Sequence, residues 1–155
     1  IGGFHDQRKF LINDLKSGYI NGLALSNSYI SDSNILTEFE YEYSKYNAKA
    51  SYETYQSNSF GLNITSALGR GWGFKASLSH AKKSHFADFP IFGKRKEEIN
   101  SANIEFSKAS SDKCLFASYR VAKNDNRSTI DIYSRSNLQV TADFSYVCLI
   151  NDPGK

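Results

Sequence analysis

The stretch Ile35-Leu36-Thr37-Glu38-Phe39-Glu40-Tyr41-Glu42-Tyr43 puts its glutamates on one parity and its aromatic rings on the other. A helix returns to one side every 3.6 residues and a strand every second residue, so this pattern reads as a β-strand with one wet and one apolar face.

The same period recurs along the chain. Phe60, Leu62, Ile64 and Leu68 alternate with Gly61, Asn63, Thr65 and Ala67, and Phe74, Ala76 and Leu78 alternate with Lys75, Ser77 and Ser79. Gly69-Arg70-Gly71 lies between these runs, and its glycines admit the positive φ of a tight hairpin turn. Ala102, Ile104 and Phe106 alternate with Asn103, Glu105 and Ser107; Leu115, Ala117, Tyr119 and Val121 oppose Cys114, Phe116, Ser118 and Arg120; Leu138, Val140, Ala142, Phe144 and Tyr146 oppose Gln139, Thr141, Asp143 and Ser145. Weaker alternation over Tyr19 to Asn27 and Ala48 to Tyr55 brings the expectation to about eight strands of roughly 9–11 residues, enough to close a barrel. The predicted fold class is all-β, an antiparallel up-and-down transmembrane β-barrel or the C-terminal part of a larger one. Residues 1–17 lead in or add a strand, 18–148 carry the barrel strands, and 149–155 form a tail.

Composition agrees. The 155 residues suit one domain, and ten Tyr, eleven Phe and one Trp against two Pro and no Met favour strands. Net charge is +3, but the basic residues are interleaved with acids in no concentrated patch, which argues against nucleic acid as a partner. No run approaches the ~20 apolar residues of a membrane helix. A mean hydropathy of −0.49 is compatible with a membrane barrel, whose strands alternate lipid-facing and lumen-facing side chains. Ile1-Gly2-Gly3-Phe4-His5 shows no basic segment followed by an apolar run, so the expectation is a leader already removed or a sequence that starts internally.

Short turns are expected around Ser44-Lys45-Tyr46, Gly69-Arg70-Gly71 and Ala109-Ser110-Ser111-Asp112. Longer connections are expected around Ile30 to Asn34, Lys83 to Glu97 and Asn124 to Asn137, with a tight Gln56-Ser57-Asn58 link as an exception. Threading back from an inward-running last strand puts short turns on one side and the two longest loops on the other, the outer-membrane arrangement. Tyr29, Tyr43, Tyr55, Trp72 and Tyr146, near strand ends, read as interfacial girdles or as cross-strand aromatic pairs of any sheet.

From about Phe60 onward the chain resembles the C-terminal barrel of the surface lipoprotein assembly modifiers of Gram-negative bacteria. The resemblance is carried by Gly71-Trp72-Gly73-Phe74-Lys75-Ala76-Ser77-Leu78-Ser79, by Phe92-Gly93-Lys94-Arg95-Lys96-Glu97-Glu98, and by Ser118-Tyr119 followed by Tyr133-Ser134 and the final strand. It implies a larger barrel, of which this is the C-terminal part, and a role in moving lipoproteins or soluble cargo to the cell surface. The family's periplasmic helical repeats have no counterpart here. The family's last strand normally ends on an aromatic, whereas Tyr146-Val147 is followed here by Cys148-Leu149-Ile150-Asn151-Asp152-Pro153-Gly154-Lys155.

Parity assigns Glu38, Glu40, Glu42, Lys75 and Arg120 to a lumen-facing side. The longest expected loop gathers Phe86, Phe89 and Phe92 with Lys94, Arg95 and Lys96. That loop reads either as a cargo or lipopolysaccharide contact or as a solvated loop with a folded-back apolar plug. Ser79-His80 and His85 with Asp88 match no nucleophile motif, and His5, His80 and His85 lack ligand companions, so no catalytic, metal or cofactor site is expected. Asn63-Ile64-Thr65 and Asn126-Arg127-Ser128 fit the glycosylation triplet only as chance matches. Cys114 and Cys148 fall on opposite faces, so no disulfide is expected between them. The sequence therefore predicts a bacterial outer-membrane barrel, not an enzyme, that assists translocation or surface display, with outer-membrane lipid and a surface lipoprotein or secreted cargo as partners. A structural or adhesive small barrel, and a soluble ligand-binding barrel with its aromatic residues inward, remain as alternatives.

Overall fold

Strand pairing reaches further along the chain than its apolar alternation. The computed structural model describes residues 2–8, 14–110 and 115–146. In chain order the strands are β1 (Gly2–Arg8), β2 (Gly18–Ile30), β3 (Ile35–Ala48), β4 (Tyr55–Gly69), β5 (Trp72–Phe89), β6 (Gly93–Ala109), β7 (Leu115–Ser128) and β8 (Arg135–Tyr146). Each pairs antiparallel with the next, forming one 8-stranded up-and-down sheet. Among the described residues, helical structure is limited to 3-10 turns at Asp14–Lys16, Ser51–Glu53 and Asp131–Tyr133, and no helix is long and apolar enough to cross a membrane. β1 and β8 are the edges, and no pairing joins them among the described residues.

Chain direction places the β2–β3, β4–β5 and β6–β7 connections at one end, with the start of β1 and the finish of β8. The other connections lie at the opposite end, where all three 3-10 turns fold. We call these the tight-turn end and the capped end. Arg70 (φ 49°) and Gly71 (φ 77°) make the two-residue β4–β5 link, and paired positive φ values match the right-handed twist of the flanking strands.

Several expectations about connections give way. Ser44 to Tyr46 lie inside β3, opposite Ser57 to Tyr55, and Gln56 to Asn58 lie inside β4, so neither segment turns. Residues 49–54, part of an expected strand, instead carry the Ser51–Glu53 turn, while the described N-terminal segment supplies β1. Ile30 to Asn34 is not a long loop: Asn34 at φ 57° closes a short turn in which its amide donates to the Ser31 carbonyl at 2.9 Å. Lys83 to Glu97 is largely strand, with β5 running 18 residues and β6 17. Lys82 faces Glu98 and Lys83 faces Glu97 across the ladder, and such opposite-charge pairs sustain pairing where neither face is apolar. The Asn124 to Asn137 connection likewise shrinks to the residues between Ser128 and Arg135.

Paired residues share a face, so the register sorts the side chains. One row runs Phe39, Leu62, Leu78, Ala102, Lys123, Leu138, and the next toward the tight turns runs Thr37, Ile64, Ala76, Ile104, Val121, Val140. Phe74, Phe106, Tyr119 and Ala142 follow. On the opposite face Glu40, Gly61, Ser79, Ser101, Asn124 and Asn137 make one row and Glu38, Asn63, Ser77, Asn103, Ala122 and Gln139 another. Every buried strand residue (Ile20, Ser44, Tyr46, Ser57, His85, Arg95 and Ser118) lies on the polar face, whereas Phe39, Phe60, Leu78, Ile104 and Phe144 on the other face are exposed. Among the described residues no second layer covers either side. At the capped end the asymmetry comes from the connections folded over the polar face, as where Glu53 meets Arg95 and the Tyr52 carbonyl meets His85.

Gly71 tests the hairpin geometry. A Cβ there would meet the Ala109 carbonyl oxygen at 2.4 Å, whereas at Gly69 (φ 82°) it would meet nothing within 4 Å. Gly69→Ala should cost only the backbone strain, about 1–2 kcal/mol. Gly71→Ala should cost more in equilibrium unfolding, and equal costs would contradict this register of β5 against β6.

Candidate functional site

Two groups of charged side chains occupy the polar face. Glu38, Glu40 and Glu42 climb β3 beside Asn63, Gly61 and Ser59 of β4, and a cleft of about 450 Å³ opens along Glu40, Glu42, Ser59 and Ser79. Further along the sheet, Lys75 of β5 and Arg120 of β7 flank Glu105 of β6 in one row. Arg120 donates to one Glu105 oxygen through Nε at 3.0 Å and Nη2 at 2.7 Å. All five residues singled out by parity therefore fall on the polar face, carboxylates on one strand and cations around a carboxylate further along. The sequence reading omitted Glu105, although its parity with Asn103 and Ser107 marks the same face.

The densest polar cluster lies at the capped end and was not anticipated. Strand pairing stacks Ile20, Tyr46, Tyr55 and His85 in one row, and the 49–54 connection folds over it. Arg95 of β6, 7% exposed, reaches Glu97 at 3.1 Å and Glu53 at 3.3 Å. Its guanidinium stands 4.2 Å from the Tyr133 ring, whose edge meets Phe89, which in turn meets Tyr52 edge-on. Arg95 thus holds residues of three connections together: Glu53 and Tyr52 from β3–β4, Phe89 at the foot of β5–β6, and Tyr133 from β7–β8. Lys16 adds a second cation 3.9 Å from Glu53, and the Tyr46 hydroxyl donates to the Lys16 carbonyl.

His85 completes the cluster. Arg95 Nε donates to its Nε2 at 2.9 Å, so its Nδ1 carries the proton and donates to the Tyr52 carbonyl at 2.9 Å. Burial, and then the Arg95 charge, lower its pKa below 6.5 and keep the ring neutral, against the opposing pull of the Tyr52 carbonyl, Glu97 and Glu53. The residue lies beyond the apolar band, in the stretch of β5 that is polar on both faces.

The residues expected in an external loop are thereby separated. Phe86 and Phe89 belong to β5 and Lys94 to Lys96 to β6, and only Phe92 sits in the turn. Arg95 is a buried anchor, because β6 pleating turns it inward while its neighbours Lys94 and Lys96 point out. Tyr55 is no girdle residue: it faces inward, 5.3 Å from the Tyr46 ring and 5.4 Å from His85. Tyr29, Trp72 and Tyr146 stand toward the tight-turn end of the apolar face and Tyr43 toward its other border. Ser79 and His80, being adjacent in a strand, point to opposite faces. His85 and Asp88 are separated by a register shift, and both His85 ring nitrogens are engaged. Among the described residues no group of three His, Cys, Asp or Glu gathers to hold a metal ion. Cys114 and Cys148 lie outside the described residues.

In comparisons with protein-family models, curated proteins and solved structures, nothing matches the chain.

Two consequences follow from the cluster. Arg95→Ala leaves two largely buried carboxylates without their central cation, and should destabilise the capped end by about 3–5 kcal/mol in denaturant titration. An effect below ~1 kcal/mol, the scale of a surface pair, would contradict the anchor. For His85 the folded pKa is depressed, so its contribution is complete above the unfolded value of about 6.5 and is lost as pH falls from there toward the folded value. Hydrogen exchange of residues 49–54, corrected for intrinsic rate, should quicken between about pH 7.5 and pH 5. His85→Gln should flatten that dependence.

Proposed function

We propose that this sheet is a wall of a bacterial outer-membrane β-barrel that assists the translocation or surface display of a lipoprotein or other secreted protein. The observation that carries the reading is the burial asymmetry: large apolar side chains are exposed on one face while the buried strand residues all lie on the other. A water-soluble ligand-binding barrel requires the reverse. Contiguous exposed apolar surface on this scale marks contact with another apolar phase.

Dimensions support the same reading. On β3 the apolar face runs from Ile35 to Tyr43 before Lys45 ends it. That is roughly 27 Å along the strand, or about 20 Å at a tilt near 40°, comparable to the ~25 Å apolar band of membrane barrels. Trp72 and Tyr146 at one border and Tyr43 at the other suit the interfacial positions aromatic residues prefer. Unpaired backbone groups are not tolerated in hydrocarbon, so the outer edges of β1 and β8 pair there, with each other or with further strands.

The cargo role is drawn from the resemblance in Trp72 to Ser79 and Phe92 to Glu98. One structural feature favours an outward contact: the long β5–β6 hairpin presents Ile91 at its tip, 97% exposed and at φ 77°. That conformation is unfavourable for a β-branched residue, and such strain concentrates at functional positions.

Detergent partitioning with heat-modifiable gel mobility tests the reading. A detergent-extracted species whose mobility shifts on boiling supports a closed barrel, and a water-soluble monomer with no shift refutes membrane placement. Within vesicles, Ile104→Lys on the apolar face should cost about 2–4 kcal/mol. Ser101→Lys on the polar face should cost less than half of that.

A further inference from the structure

We infer that the apolar face carries a binding groove for a phosphorylated lipid at its border toward the capped end. A concavity of about 570 Å³ lies there across β3 to β7. Its lower row is Phe39, Leu62, Leu78, Ala102 and Lys123, and above it stand His80, Asn100, Asp125 and Arg127. Apolar side chains below and cations above match an amphiphile whose acyl chains follow the sheet and whose headgroup bears phosphate. This rests on the outer-membrane reading, and it adds an occupant for that surface.

Charge is distributed unevenly over the face. Lys45 and Lys96 share one row on it at this border, Lys82 and Arg127 the next, and Lys123 lies two rows further on, past the row of His80 and Asp125. The acids among them are Asp125, bound by Arg127 at 3.1 Å, and Glu98, 3.8 Å from His80. Lys82, Lys96 and Lys123 are exposed and form no salt bridge within 4.0 Å among the described residues, although Lys82 lies opposite Glu98 in the ladder. A second, smaller cleft of about 400 Å³ shares Arg127 with the groove and is lined in part by Lys82, Lys96, Glu97 and Glu98. At the tight-turn border the same face offers Lys108, which lies 5.0 Å over the Trp72 ring and donates to the Arg70 carbonyl. Lys82, Lys96 and Lys123 are therefore toward the capped end, the end that threading back from the last strand turns outward. Lys123 stands in the row of Leu78 and Ala102, where its alkyl stem covers apolar surface and its ammonium reaches the headgroup level. The expected partner is a phosphorylated glycolipid of the outer leaflet.

The full chain, folded into phosphatidylcholine vesicles doped with either diphosphorylated or dephosphorylated lipid A, tests this after gentle detergent extraction and native mass spectrometry of retained lipid. Retention of the phosphorylated form should exceed that of the dephosphorylated form, and Lys123→Gln and Lys82→Gln should each lower it about five-fold. Lys75→Gln on the polar face should leave it unchanged, and Arg127→Lys, which keeps the charge, should retain most of it. Equal retention of both lipids by a chain that inserts normally would overturn the groove and leave the membrane reading intact. A chain that enters no vesicle of either composition would overturn both.

Discussion

Pleating of a hydrogen-bonded strand sends neighbouring residues to opposite faces, and in this protein nearly everything else depends on that constraint. Because the eight strands pair in chain order, the parity of one residue fixes the face of its partners in every other strand. The buried apolar residues are limited to Ile20, Tyr46, Ala50 and Ile130 among those described. Cohesion along most of the sheet therefore comes from the backbone ladder and cross-strand pairs such as Phe74 with Phe106, 5.1 Å between ring centres. A sheet held in this way leaves its apolar face uncovered, and the proposed membrane placement would set an apolar medium against that face.

The two ends solve different problems. Tight turns at one end need only backbone geometry, supplied by Asn34, Arg70 and Gly71 in left-handed conformations. At the other end the strands continue after the regular apolar alternation stops, and Ile20, Tyr46, Ala50 and Ile130 are buried there beside charged groups. Arg95 supplies the missing connection by drawing Glu53, Glu97, His85 and Tyr133 together. Removing two carboxylates and a guanidinium from water is costly, and their mutual pairing offsets that cost while fixing where the connections sit.

Much of this was legible in the sequence, for a physical reason. Where one face is apolar and the other polar, as from Ile35 to Tyr43 or Leu138 to Tyr146, alternation identifies both the strand and its faces. Alternation fades where both faces are polar. Lys83 to Glu97 accordingly read as a loop, although most of it pairs in the ladder of β5 with β6. Tyr55 read as a border aromatic because its neighbours in sequence do not reveal Tyr46 and His85 opposite it. The Arg95 cluster was illegible for the same reason: it unites residues 53, 85, 95 and 133, which only the register brings together.

Spin-label scanning along β4 in lipid vesicles tests the central claim most directly. With Cys114 and Cys148 replaced by Ser, single nitroxides at positions 60 to 65 are compared for collision with oxygen, which concentrates in lipid, and with a water-soluble nickel complex. The account predicts alternation of period two, with oxygen access highest at Phe60, Leu62 and Ile64 and nickel access highest at Gly61, Asn63 and Thr65. Equal nickel access at both sets of positions would contradict it.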